Sequence, residues 1–169
     1  MFEIIIFDRL FVEISSKITS CQHGFFPKRS TFTNLTSFCQ YVHDAINNKS
    51  QVDVLYTDME KAFDRVRHCV ILKTLSQMDV PSYLIYLLQS YLSCRFQYVE
   101  IKGCKSVVYK STSGVPQSSN LSPLLFLTTI NGIIDNLESA KGLLFADDFK
   151  CFSVVDSLED CQSLKSDFC

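Results

Sequence analysis

The sequence predicts an α+β domain in which antiparallel strands carry acidic residues on one face and helices cover the other. Three observations carry that expectation. Segments of helical periodicity alternate along the chain with short apolar runs. Asp58 closes the run Val52, Val54, Leu55, and Asp147-Asp148 closes Leu143, Leu144, Phe145, so each block reads as a buried strand that ends in acid. A chain of 169 residues that is 47% hydrophobic is long enough to bury one core.

The elements follow in order. Phe2, Ile5, Ile6, Leu10, Ile14 and Ile18 recur at helical spacing, and a polar connector carrying Gly24 and Pro27 ends that first helix. Leu35, Phe38, Cys39, Val42, Ala45 and Ile46 define a second helix, stopped by Asn47-Asn48. Residues 51–57 run as a strand into Asp58. Val70, Leu72, Leu75 and Met78 predict a third helix, and Pro81 suits the first turn of a fourth that reaches Tyr91. Segments 95–102 and 105–112 predict a hairpin pivoting near Gly103. A helix over 120–137 accommodates Pro123 in its first turn. Strands 142–148 and 149–155 form a second hairpin with the acids at its tip, and Asp156 is placed to cap a last helix through Phe168.

Three carboxylates brought together carry a cost that limits what they can be. At about 4 Å two of them repel by roughly 4 kcal/mol at an effective dielectric near 20, so a cluster persists only beside cations. Oxygen ligands with no neighbouring His or Cys select magnesium, with manganese as a substitute. Two such ions about 3.5 to 4 Å apart clamp the attacking and leaving oxygens of a phosphoryl transfer. An isolated Asp-Asp after a strand is more often a plain turn, so the acids alone leave both readings open.

The surrounding blocks narrow the choice. Asp58 through Val66, the segment Ser113-Gly114-Val115-Pro116-Gln117 continuing through Pro123-Leu124-Leu125-Phe126, and Phe145-Ala146-Asp147-Asp148 resemble, in order, the palm motifs of reverse transcriptases of non-LTR (LINE, jockey-like) retrotransposons. Gln22-His23-Gly24-Phe25 and Arg29-Ser30-Thr31 with Thr33-Asn34-Leu35 are similar to the block that precedes those motifs. The resemblance implies a polymerase palm with part of the fingers: partial fingers over residues 1–50 and an incomplete palm without a thumb over 51–169. It implies an RNA-directed DNA polymerase that extends a DNA primer on an RNA template from deoxynucleoside triphosphates. Asp58, Asp147 and Asp148 would be its catalytic residues and the ligands of two magnesium ions. Ala62, Phe63 and Gln117 would bind the nucleotide, with Phe63 as an aromatic gate against a ribose 2′-hydroxyl. Arg29 would belong to the fingers, and Asp64 would bridge locally. The chain departs from the family pattern at Ser118, Ser122 and Gly132, where Gly, Gly and Asp are expected.

Charge points the other way, because a formal net charge of −2 does not favour binding to phosphate backbones. A second reading therefore keeps the fold and drops the enzyme, leaving an inactive retroelement remnant or a nucleic-acid-binding module. An RNA-dependent RNA polymerase palm is disfavoured by Ala146 and the aromatic Phe63. The eight cysteines contain no Cys-x-x-Cys pair and read as buried or half-buried hydrophobes rather than zinc ligands. Cys169, as the last residue, cannot open a prenylation box. The apolar run at residues 2–7 is too short to span a membrane and Asp8-Arg9 interrupts it, so the expected location is intracellular, in nucleus or cytoplasm.

Overall fold

The computed structural model describes residues 2–168, so Cys169 lies outside it. In chain order the elements are α1 (Phe2–Ile14), α2 (Thr31–Asn47), β1 (Gln51–Thr57), α3 (Ala62–Arg65), α4 (His68–Gln77), α5 (Ser82–Leu92), β2 (Arg95–Gln97), β3 (Glu100–Ile101), β4 (Cys104–Lys105), β5 (Tyr109–Ser111), α6 (Leu121–Ile130), β6 (Lys141–Phe145), β7 (Asp148–Val155) and α7 (Leu158–Phe168). They group into two compact units. One takes the chain up to Lys17 with Lys61–Thr129, and the other takes Ile18–Glu60 with the chain from Ile130 onward.

The second unit holds a three-stranded antiparallel sheet in the order β1-β7-β6. Its centre is β7, whose Phe149, Cys151, Phe152 and Val155 are buried. The expectation of a buried strand fails for β1: it lies at the sheet's edge, and Tyr56 remains 68% exposed. Helix α2 begins four residues earlier than its apolar stripe, because Ser30 caps it. The Ser30 hydroxyl accepts from Thr33 N at 3.3 Å while Ser30 N donates to Thr33 Oγ1 at 2.9 Å, a reciprocal box that satisfies two end groups. The helix then sets Phe38 and Tyr41 edge-on against Phe152, at 5.1 and 4.9 Å between centroids.

Helix α7 is capped by Ser157 rather than Asp156. Ser157 Oγ accepts from Asp160 N at 3.2 Å and Asp160 Oδ2 accepts from Ser157 N at 2.8 Å, whereas Asp156 accepts the Ser50 hydroxyl at 3.2 Å. At the far end of α7, Asp167 gathers the amides of Glu138, Ser139 and Ala140 at 3.0, 2.9 and 2.7 Å. Desolvation pushes its carboxyl up, but these donors together with the Ser139 hydroxyl outweigh that and hold it at about 2. A carboxyl depressed in the folded state stabilises fully above about pH 5 and loses that contribution as pH falls from about 4 toward 2. Solvent screening limits the effect to about 1 kcal/mol. Asp167→Asn should therefore lower the melting temperature by roughly 2–4 °C at pH 7 and make no difference near pH 2, as thermal melts across that range will read.

In the first unit, α6 is apolar all round, and Leu121, Leu124, Leu125, Phe126 and Leu127 are buried. Ile71 and Leu75 of α4, Leu84, Leu88 and Leu92 of α5, and Ile6, Leu10 and Ile14 of α1 are also buried. The expected helix over 120–137 breaks at Ile130 and continues as a 3-10 turn over Asn131–Asn136. Thr128 and Thr129 both turn their hydroxyls back onto Leu125 O, at 2.8 and 3.0 Å, which loosens a helix end. The expected hairpin over 95–112 is two short ladders instead. Gln97 pairs with Tyr109 but Glu100 pairs with Lys105, so residues 106–108 face only 98–99 and one residue bulges. Its tip is a two-residue turn with Lys102 and Gly103 at φ +50° and +81°.

Among the described residues the cysteines are free thiols. Only Cys151 is buried and Cys21 half-buried, while Cys39, Cys69, Cys94, Cys104 and Cys161 are exposed, contrary to the expected core role. Also among the described residues, no helix is long and apolar enough to cross a membrane.

Candidate active site

The hairpin that carries Asp147 and Asp148 turns in two residues. Phe145 pairs with Asp148, leaving Ala146 and Asp147 as the loop, with Ala146 in the left-handed region at φ +54°. That conformation costs a residue with a Cβ about 1–2 kcal/mol, so something must hold it. Gln22 does so. Its buried side chain accepts from Ala146 N at 3.0 Å and from Gly24 N at 2.8 Å, and donates to Ala146 O at 3.5 Å. Around it the connector lies along β6, with Leu144 N donating to Cys21 O at 2.9 Å and His23 N to Leu144 O at 2.8 Å. Asn34 adds a bond from Nδ2 to Leu144 O at 3.1 Å.

Gln22, Gly24 and Asn34 thus brace the acid hairpin. Their motif is visible in the sequence, but this bracing role is not. The available signal was the polar pair Gln22-His23 directly before Gly24 in a connector without helical or strand pattern.

Strand register sets the acids. Thr57 pairs with Phe149, so the same alternation carried one residue further places Asp58 across from Asp148. Both line one cavity of about 470 Å³, together with Phe145, Thr31, Asn34 and Lys150. Asp147 is not in that lining and sits half-buried in the adjoining turn. Among the described residues no group of three or more His, Cys, Asp or Glu side chains is arranged to hold a metal ion. Asp58 and Asp148 are exposed, which leaves their oxygens to solvent or ligand. Two open carboxylates suit magnesium, which commonly takes one or two of them and completes its shell with water and substrate phosphate.

Two features of the cavity offset its negative charge. Thr31 is the first residue of α2, so the positive end of that helix faces the cavity. Lys150, two residues beyond Asp148, places its ammonium 4.3 Å from the Phe38 ring centroid and 5.4 Å from that of Tyr56. Burial pushes the Lys150 ammonium below its ordinary value, and the Cys39 thiol opposes that shift. Arg29, expected in the fingers, is spent internally: it donates to Thr19 O at 2.7 Å and Gln22 O at 2.6 Å and lies 4.2 Å over the Phe26 ring.

The remaining candidates fall in the first unit. Ala62 is buried at the start of α3. Phe63 is half-buried, its ring stacked on Phe126 at 4.5 Å and 17°. Gln117 is exposed and donates from Nε2 to Asp64 Oδ1 at 3.3 Å, so Asp64 bridges to a loop 53 residues away rather than locally. Of the departures from the family pattern, Ser118 lies in the loop after Gln117, Ser122 in the first turn of α6 and Gly132 in the 3-10 turn beyond α6. Ser122 is buried and its hydroxyl donates to Pro116 O, closing the loop. Ser118 adopts φ +62°, a conformation glycine takes freely. Relief of that strain, less the entropy glycine gains on unfolding, gives Ser118→Gly a stabilisation of about 0.5–1 kcal/mol. Urea titration should show a higher midpoint, and a lower one would mean that Ser118 makes a compensating contact.

Comparisons with known proteins show what the chain is similar to. Residues 3–166 match the family model described as Reverse transcriptase (RNA-dependent DNA polymerase). The chain is 30% identical to the RNA-directed DNA polymerase from mobile element jockey of Drosophila melanogaster, over 68% of this chain and 12% of that protein. It is 32% identical to the probable RNA-directed DNA polymerase from transposon X-element of the same species, over 62% of this chain and 12% of that protein. The matched part of the chain thus spans about 12% of the length of these relatives. Among solved structures, apo telomerase from Candida tropicalis truncated from its C-terminal domain superposes with a TM-score of 0.72 at 13% identity, over 96% of this chain and 36% of that one. Telomerase from Candida albicans in complex with a fragment of telomeric RNA gives 0.68 at 12% identity, over 95% and 31%. These two likenesses are of fold.

Proposed function

Because the chain belongs to the reverse transcriptase (RNA-dependent DNA polymerase) family, we propose that it is the acid-bearing part of an RNA-directed DNA polymerase of the jockey-like, non-LTR kind. It extends a DNA primer on an RNA template from deoxynucleoside triphosphates, inside the cell, in nucleus or cytoplasm. The observation that carries this reading is the family match across residues 3–166, and the shared cavity of Asp58 and Asp148 supports it.

Asp58 and Asp148 would hold magnesium from the cavity and Asp147 from the turn, in a two-ion site that manganese also fills. Bound magnesium would supply the positive charge that transfer of the nucleotide α-phosphate to a primer 3′-hydroxyl, with release of pyrophosphate, requires. What the chain itself contributes is order before binding. Gln22 and Asn34 fix the hairpin main chain, so the carboxylates need little rearrangement to take up charge. Phe63, whose ring stacks on Phe126, would be the aromatic gate against the sugar, with the small Ala62 before it and Gln117 at the nascent base pair. The division into fingers over 1–50 and palm over 51–169 belongs to the same proposal.

The strained Ser118 favours one alternative, a palm fold that binds nucleic acid without catalysis. Incubating the purified chain with a DNA primer annealed to an RNA template, four deoxynucleotides and magnesium separates the two. Extension that chelator abolishes is the expected result. Retained template binding with no extension in magnesium or manganese would leave the second reading.

A further inference from the structure

The charge deficit read from the sequence is unevenly spread. Over residues 95–112 four cations, Arg95, Lys102, Lys105 and Lys110, stand against the single carboxylate of Glu100, a local charge of +3 in a chain of −2. Lys105 is engaged, 3.8 Å from Glu100 and 4.9 Å from the Tyr98 ring centroid. Among the described residues no carboxylate pairs with Arg95, Lys102 or Lys110.

Arg95 and Lys110 line a cleft of about 650 Å³ with Gln97, Tyr109, Asp64 and Gln117. Arg95 is half-buried there with no hydrogen-bond acceptor among the described residues, which leaves its guanidinium open to solvent or a ligand. Asp64, the one acid in the lining, is already taken up by the Gln117 amide. Tyr109 donates its hydroxyl to Gln97 Oε1 at 2.9 Å, which fixes the ring while leaving the residue 49% exposed beside the two cations. A guanidinium fork, an ammonium and an immobilised aromatic face in one groove are what a single strand of nucleic acid needs: phosphates meet the cations and a base meets the ring.

We infer that this cleft binds single-stranded RNA, with Arg95 and Lys110 on phosphates and Tyr109 stacked on a base. The choice of RNA as the strand rests on the proposed function; the choice of a nucleic-acid strand rests on the cleft.

Fluorescence anisotropy of a labelled, unstructured 12-nucleotide RNA, titrated with the 169-residue chain, tests it. The double variant Arg95→Glu with Lys110→Glu should bind at least tenfold more weakly, and its log affinity should fall less steeply with log salt, by about 1.4, for two lost phosphate contacts on a single strand. The milder Arg95→Gln with Lys110→Gln, with its fold checked by circular dichroism, should show the same direction. Tyr109→Leu should lose at least fivefold, and the charge-matched control Lys73→Glu with Lys165→Glu should bind like the parent. Equal affinity of parent and cleft variants, or absence of RNA binding by the parent, overturns the inference. So does a labelled oligoglutamate that binds as tightly as RNA with the same dependence on Arg95 and Lys110, since that would make the partner an acidic polypeptide. Binding that depends on the cleft in a chain that extends no primer would uphold this inference while the polymerase reading fails.

Discussion

Asn in place of Asp58 is expected to reduce RNA-templated primer extension by roughly a thousandfold or more while leaving thermal stability unchanged or slightly raised. The two halves of that result come from the same geometry. Asp58 is exposed at the end of an edge strand, so the substitution, which keeps shape and size, leaves no buried group unsatisfied. It also removes like-charge repulsion against Asp148 across the sheet, a term of about 0.2–1 kcal/mol. Only a reaction that needs the charge will register the loss. A variant that keeps a tenth of the parental rate would remove Asp58 from the site, and a collapse in melting temperature would make it a structural residue. Asp148→Asn should behave alike. Asp147→Asn then separates two arrangements, because full activity would assign the work to the cavity pair and loss would bring in the turn.

The second large effect is at Gly24. A Cβ built there falls 2.3 Å from Ala146 N, 3.0 Å from Phe145 C and 3.1 Å from Ala146 Cα. All three are main-chain atoms, so no side chain can rotate aside. Either the connector leaves β6, breaking the His23–Leu144 bond and the bonds of Gln22, or the acid hairpin shifts. Gly24→Ala should therefore cost about 3 kcal/mol or more, roughly 6–12 °C in melting temperature, with extension lost in the same variant. Gly103→Ala is the comparison. Its φ of +81° also disfavours alanine, but a Cβ there meets nothing within 4 Å, and the cost should stay near 1–2 kcal/mol. Equal melting temperatures for Gly24→Ala and the parent would mean that the connector does not pack as described.

What the sequence displayed was local periodicity. The places of α2, α4 and α5 and the buried run leading into Asp147 were legible from periodicity, but Leu35, Cys39 and Ile46 of the α2 stripe are exposed and the run into Asp58 lies at an edge. The offset ladder at residues 98–108 was not, because a bulge changes register without changing composition. Nor was the edge position of β1, since strand order depends on which partners arrive from elsewhere in the chain. Both acids were expected at a hairpin tip, yet pairing of Phe145 with Asp148 puts Asp148 in the strand and Asp147 in the loop. Gln22 was the least legible. Its bonds to Ala146 span 124 positions and end on main-chain atoms, which carry no side-chain signature. Ser157 displaced Asp156 as a cap for a simpler reason: both residue types cap well, and one residue of register decides between them.

The edge position of β1 also bears on how the purified chain will behave. No described strand pairs with its outer side, and a seven-residue border whose only charged side chain is Asp53 is a template for a visiting strand. Concentrated samples should self-associate first along that border, and every copy that docks there lies against the segment leading into Asp58, so turnover per molecule should fall as concentration rises.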